Sequence, residues 1–311
     1  MQPQPRHSAL LHRAPWIAVT DSGARLGSAI AEMACFAGGE HVHLFVQLGW
    51  ALESHLAGIV EHVAAAPACI SLTVLAADAS GCELLRERGI DAIVANHNAF
   101  LDERVMYPEP AAERCYDAVY VARFKPLKRH ELARAVPRLA LVSGDHDVGA
   151  ADIAAVQALG LDVAWSNVDA AGRIAPLAPA AVRALIARAG CGLALSAVEG
   201  AMYASAEYLL CGRPLVSTPA RGGREAFFDE ACVEVVEPSA DAVAAGVVAI
   251  TARAPMPLEI RRRTLARMRP HRLRLVDRLS AIFDTDLAPL ADSNGWLPLF
   301  RHRLRGLPTY A

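Results

Sequence analysis

The sequence predicts an α/β protein: two parallel-sheet domains facing a cleft, followed by a C-terminal helical tail. Three observations lead there. Short apolar runs alternate with helical stretches through most of the 311 residues. The runs are apolar at consecutive positions rather than alternate ones, as in strands covered on both faces by helices. The alternation breaks once, in the non-periodic, proline-bearing patch "FLDERVMYPEPAAERC" at 100–115, which reads as a connection between two units.

The elements follow in order. "MQPQPRHSALLHRAP" lacks the apolar core of a secretory signal, and residues 1–13 read as a disordered arm. Strands at 16–20, 41–46, 71–77 and 91–96 alternate with helices at 27–38, 50–64 and 81–89, giving a first domain over 14–105. A linker occupies 106–115. Strands at 116–122, 138–144, 161–167, 192–196, 213–218 and 232–237 then form a second domain over 116–255. Its helices are expected at 128–135, 150–159, 179–189, 200–211, 222–229 and 239–253. Residues 256–311 form the helical tail, expected to pack back on the first domain. Two such domains side by side bind ligands at the C-terminal ends of their strands.

Composition excludes several function classes. Apolar residues make up 54% and charged ones 21%, enough for a sizeable core and against disorder. A net charge of −2 with no strongly basic half argues against nucleic acid. The seven cysteines form no CxxC pair, as expected for reduced thiols in a cytoplasmic protein. No apolar run approaches the ~18 residues of a membrane span.

The chemistry concentrates in "LSAVEGAMYASAEYLLCGRPLVST" at 195–218. Glu199 follows a strand; Glu207 lies within the next helix. Their separation is about 12 Å along the helix axis and roughly 80° around it. Between them, the first-turn N–H groups of Gly200, Ala201 and Met202 would attract a phosphate-like anion. An anion flanked by two carboxylates fits a nucleotide-sugar, whose diphosphate lies between two polyols. Taken singly, Glu199 is as well explained as a helix-start acid favoured by the dipole, and Glu207 as a solvent-facing residue.

This segment resembles the donor-binding region of the retaining GT-B glycosyltransferases, particularly the large family 4 group. The likeness rests on a strand ending in Ser, Glu-Gly, two glutamates with seven residues between them, a small-Gly-x-Pro turn, a buried strand and Gly-Gly. Upstream, "YVARFKPLKRHELARAV" resembles the strand–Arg–loop–Lys element that opens the second domain, and the likeness spans about 116–248. The resemblance implies a GT-B fold of two Rossmann-like domains. It implies that Arg123 and Lys128 neutralise the diphosphate and the leaving group. Glu199 would hold sugar hydroxyls, Glu207 the ribose, and the Gly200–Tyr203 backbone, with Ala201 and Met202, would line the donor. It implies transfer with retention, no protein nucleophile, no metal and no other cofactor. Two features depart from the pattern: Arg129 replaces a frequent glycine after Lys128, and the first domain is short.

In the first domain, Gly23 in "TDSGARLGSAIAE" either approaches the donor with its backbone or makes a tight turn. A nicotinamide fingerprint is set aside there, because the GxGxxG spacing is absent. The resemblance makes His97 a hydrogen-bonding group reaching across to the donor sugar, with Asn98, Asp102 and Glu103 as weaker acceptor-side candidates. "SGDHDVG" at 143–149 reads as a turn rather than a metal site. Nine arginines between 253 and 278 read as a solvated helix face, with contact to an anionic inner-membrane face as the alternative. The expected partners are a nucleotide-sugar donor and an acceptor that is a glycan, a lipid-linked molecule or a small molecule. Oligomers are possible. The rival functions are a nucleotide-sugar epimerase of the same architecture and a non-catalytic donor-binding subunit.

Overall fold

The computed structural model describes residues 5–288, apart from 110, 145–146 and 254. The first lobe opens with β1 (Ala9–Arg13), antiparallel to β2 (Trp16–Asp21). Residues 9–13 therefore form an edge strand where a disordered arm is expected. Leu11 is buried, Thr20 Oγ1 donates to His7 O at 2.9 Å, and Glu32 accepts from the Arg6 and His7 amides.

The lobe continues with α1 (Leu26–Phe36), β3 (Val42–Gln47), α2 (Leu56–Ala64), β4 (Ile70–Ala76), α3 (Ala79–Arg86) and β5 (Ala92–Val94). Asp78 starts α3, its carboxylate accepting from the Gly81 amide at 2.8 Å. The sheet order is β1-β2-β3-β4-β5, with β2 to β5 parallel. Each parallel strand is laid beside the last in one direction, so right-handed crossovers bring α1, α2 and α3 to one face. The strands alternate accordingly: Ala18, Leu44, Val46 and Val74 join the core under these helices. Ile17, Val19, Phe45 and Leu75 belong to a different core. That second face needs a cover from elsewhere in the chain.

The second lobe runs β6 (Tyr116–Val121), β7 (Leu139–Val142), α4 (Ala150–Gln157), β8 (Val163–Trp165), α5 (Pro179–Ala187), β9 (Ala189–Ala194), α6 (Tyr203–Leu210), β10 (Leu215–Ser217), β11 (Val233–Val235) and α7 (Ala240–Ala252). Its six strands are all parallel, in the order β11-β10-β9-β6-β7-β8. The chain moves outward through β7 and β8, then returns to the other side of β6 with β9. The gap between the ends of β6 and β9 is thus a topological switch point.

Three expected helices differ. The one placed at 128–135 is a pair of 3-10 turns, Pro126–Lys128 and His130–Ala133, parted by Arg129 at φ 50. The one at 222–229 is a 3-10 turn, Arg224–Phe227, entered from Gly223 at φ 92. A left-handed residue ends an α-helix in both cases. The helix expected from 200 begins at Tyr203.

The tail supplies the missing cover. α8 (Pro257–Phe283) is a single 27-residue helix. Its Leu275, Val276 and Leu279 share one core with Ile17, Phe45 and Leu75, and Phe283 meets the His12 ring edge-on at 4.9 Å. Much of the arginine stripe stays on the surface, as a solvated helix face would, with Arg262, Arg267, Arg269 and Arg274 exposed, but several of its members are tied into the protein. Arg272 pairs with Glu103 at 2.9 Å and donates to Ala99 O at 2.6 Å. Arg261 donates to the carbonyls of Glu103, Met106 and Leu210 at 2.7, 2.5 and 3.0 Å. Arg278 reaches Asp91 at 2.7 Å, while Arg263 and Arg267 converge on Asp229. Among the described residues no single helix is long and apolar enough to cross a membrane.

Removing one partner of a buried ion pair costs about 3–5 kcal/mol. Urea titration of Arg272→Leu should therefore show a loss of that order, whereas the same change at exposed Arg262 leaves the midpoint essentially unmoved.

Candidate functional site

Polar side chains converge where β6 and β9 part. After β6 come Arg123 and the turn that carries Lys128; after β9 come Ser196, Glu199 and the loop into α6. Lys128 and Glu199, 71 positions apart in sequence, form an ion pair between Nζ and Oε2, with side chains only 7% and 8% exposed. Ser196 Oγ donates to the same oxygen at 2.8 Å. No hydrogen bond to Glu199 Oε1 is found among the described residues. Burial draws the Lys128 ammonium below its usual pKa, and the Glu199 charge opposes that shift. Arg123 stands at the rim, a third exposed, 3.9 Å from Asp147.

Two arginines to which the sequence reading gave no site role complete the cluster. Arg129 adopts φ 50, ψ 50, a conformation that costs an L-residue roughly 1–2 kcal/mol. The glycine preferred there in the resembled motif thus has a backbone cause. Arg129 holds the conformation by donating to Leu195 O at 2.5 Å and Thr218 Oγ1 at 2.7 Å. Arg224 is 1% exposed, and its guanidinium spans Ser196, Ser217 and Thr218. No pattern marks it in the sequence, where it is one charge after two glycines.

Glu207 sits on α6, buried, and its carboxyl group has no hydrogen-bond or ion-pair partner among the described residues. Burial pushes its carboxyl up to about 7. The solvent-facing reading of this residue is therefore wrong. Because α6 begins at Tyr203, Gly200, Ala201 and Met202 form its lead-in loop rather than its first turn. The amide N–H groups of Gly200, Ala201, Met202 and Ala204 make no hydrogen bond among the described residues.

The lead-in loop faces the first lobe and touches it, so the expected cleft is here a closed seam. A Cβ on Gly200 would lie 2.9 Å from Trp50 Cα, and one on Gly222 (φ 114) only 1.7 Å from Glu199 O. Only glycine permits either approach. The 3-10 turn His97–Phe100, after β5, clasps the loop. His97 Nε2 lies 2.8 Å from Ala201 O, and its ring packs on Tyr203 at 4.6 Å. A carbonyl only accepts, so Nε2 carries the hydrogen. Asn98 donates to Met202 O at 2.8 Å and Asn96 to Gly223 O at 3.0 Å.

The remaining candidates separate from this cluster. Asn98 and Glu103 serve the clasp and α8, and Asp102 pairs with Arg104 at 3.0 Å. Gly23 lies in the turn between β2 and α1, with open space around it and no part in the seam contacts described above. Asp145 and His146 of the 143–149 turn lie outside the described residues. A cavity of about 380 Å³ lies beside β11, lined by Phe228, Asp229, Val235 and Arg253, away from these side chains.

No family model matches the sequence, and no match to a curated protein sequence is found. Solved structures do match. Sucrose-phosphate synthase from Thermosynechococcus elongatus aligns over 90% of this chain and 87% of its own, with TM-score 0.62 and 15% identity. The fold is GT-B. Anabaena HepE in complex with UDP aligns over 82% of this chain and 77% of its own, with TM-score 0.52 and 17% identity. The pneumococcal O-GlcNAc transferase GtfA in complex with UDP and GlcNAc aligns over 83% of this chain, with TM-score 0.52 and 12% identity. This chain spans about half, 54%, of that protein's length.

Within this GT-B chain, Glu207 gives a pH signature. In the unfolded chain its carboxyl ionises near 4.5, in the folded one near 7. The unfolded state loses its proton first, so this group removes stability as pH rises from about 4.5 to 7 and holds the loss above. Glu207→Gln should raise unfolding free energy by about 3 kcal/mol at pH 8 and by nothing below pH 4, as read from denaturant titrations across that range.

Proposed function

We propose that this protein is a glycosyltransferase that moves a sugar from a nucleotide-diphosphate-sugar to an acceptor hydroxyl, with retention and without a metal. One observation carries the reading. At the switch point, a buried lysine–glutamate pair and a partnerless buried carboxylate lie on either side of uncommitted amide N–H groups. That is an anion site between two hydroxyl acceptors.

The roles follow from the charges. Lys128, Arg123 and the amides ahead of α6 take the diphosphate and the charge that builds on it as the bond from phosphate oxygen to anomeric carbon breaks. These cations do the neutralising that a metal would otherwise do. Glu199 receives hydroxyls of the sugar, and Glu207 the ribose. The acceptor oxygen bonds the anomeric carbon on the face that the nucleotide leaves, and its proton passes to the departing phosphate oxygen. No side chain acts as nucleophile. Glu199 and Glu207 are not an acid/base pair, since Glu199 is committed to Lys128 and Ser196. Donor entry requires the Gly200–Met202 loop to part from Trp50 and the His97–Asn98 clasp.

The arrangement makes a paired prediction. Losing one charge-assisted contact costs about 1.5–3 kcal/mol, or roughly 10- to 150-fold in affinity. By calorimetry, Glu207→Ala should weaken UDP or GDP binding to that extent. Glu199→Ala should leave nucleotide binding nearly intact and abolish sugar release from the matching nucleotide-sugar. Equal, negligible effects would defeat both roles. Interconversion of the free nucleotide-sugar without an acceptor would replace this reading with the epimerase.

A further inference from the structure

We infer that Arg224 is a positioning residue for Glu199. Acting through Ser196, it determines which carboxylate oxygen is left for the donor sugar. The inference rests on the donor reading above.

Among the described residues Arg224 is one of the largest fully buried side chains, and no carboxylate bonds to it. Its Nη1 lies 2.9 Å from Ser196 O and 3.1 Å from Ser196 Oγ. Its Nη2 lies 3.0 Å from Ser217 Oγ and 2.5 Å from Thr218 O, while Nε has no partner. The guanidinium is thus fixed from the ends of two strands, β9 and β10.

The direction of each bond follows from chemistry. A guanidinium only donates, so Ser196 Oγ must accept from Arg224. A hydroxyl has one hydrogen and a carboxylate oxygen only accepts, so with Nη1 donating to Oγ from one side that hydrogen goes to Glu199 Oε2 at 2.8 Å. The Lys128 ammonium also only donates, and it goes to the same oxygen. Oε2 is thereby filled by two donors, and Oε1 is reserved for a hydroxyl. Without Arg224, Ser196 is free to turn its hydrogen elsewhere, and the carboxylate loses the preference between its oxygens. Lysine cannot restore it, since one ammonium cannot span both strand ends as the planar fork does.

The test uses the full chain and compares dissociation constants for a bare nucleotide and its sugar conjugate, UDP with UDP-glucose and GDP with GDP-mannose. The ratio within a pair isolates the sugar's contribution. Arg224→Lys and Ser196→Ala should each shrink that ratio about tenfold while the bare nucleotide's constant stays within about twofold. In a Glu199→Gln background, Arg224→Lys should change the ratio by less than about twofold, because its route runs through Glu199. Should Arg224→Lys not fold, Ser196→Ala carries the same comparison. Parallel loss of bare-nucleotide affinity, or losses that multiply in the Glu199→Gln background, would make Arg224 a plain clamp between strands and overturn the inference. A wild-type ratio of one overturns it too. Wild-type protein that binds neither UDP nor GDP defeats the donor reading itself, a separate result.

Discussion

The structure depends on a surplus of buried positive charge where β6 and β9 part. Lys128, Arg129 and Arg224 gather there, and among the described residues Glu199, paired with Lys128, is the one carboxylate bonded to any of them. Burial of a cation is costly unless hydrogen-bond acceptors replace its water. Parallel strands end in carbonyls that point past the sheet with no strand left to receive them. Leu195 O, Ser196 O and Thr218 O are such groups, and the two guanidiniums take them. The carbonyl-rich end of the sheet therefore tolerates more cations than carboxylates, and the excess suits an anionic ligand.

The same constraint reaches the first lobe through α8. A sheet wound in one direction carries its helices on one face, and the other face here is closed by a helix from the end of the chain. Arg272 of that helix is tied to Ala99 and Glu103, and the neighbouring His271 Nδ1 accepts from the Asn96 amide at 3.1 Å. These contacts grip the turn that bears His97 and Asn98. Covering the bare face and setting the clasp are thus two consequences of one docking event. A change that slides α8 moves both.

The sheets were legible in the sequence because buried parallel strands leave continuous apolar runs, and the segment proposed for the donor stood out because Glu199, Glu207 and the glycines sit close together in the chain. Gly200 and Gly222 carry their reason openly, since no side chain fits at either place. What was not legible depends on long-range geometry. Nothing local distinguishes Arg224, which is buried by two strand ends, from exposed Arg221. The stripe in α8 is mostly solvated, and nothing local marks Arg272 as the one that the first lobe buries. The helix expected at 128–135 failed because Arg129 is left-handed, a conformation that sequence pattern assigns to glycine or asparagine. Glu207, taken singly, could equally be a solvent-facing residue, and only the packing of its short helix, buried all round, decides against that.

The clasp itself bears on how the proposed anion site is aimed. The first lobe grips the carbonyls of Ala201 and Met202, through His97 and Asn98. In a trans peptide the C=O and the following N–H point in opposite directions. Pinning those two carbonyls toward the first lobe therefore turns the N–H groups of Met202 and Tyr203 away from it. Closure and anion binding use opposite poles of the same two peptides and do not compete for them. A closed seam is then compatible with an oriented anion site. The first lobe contributes to that site by fixing which way two backbone dipoles face.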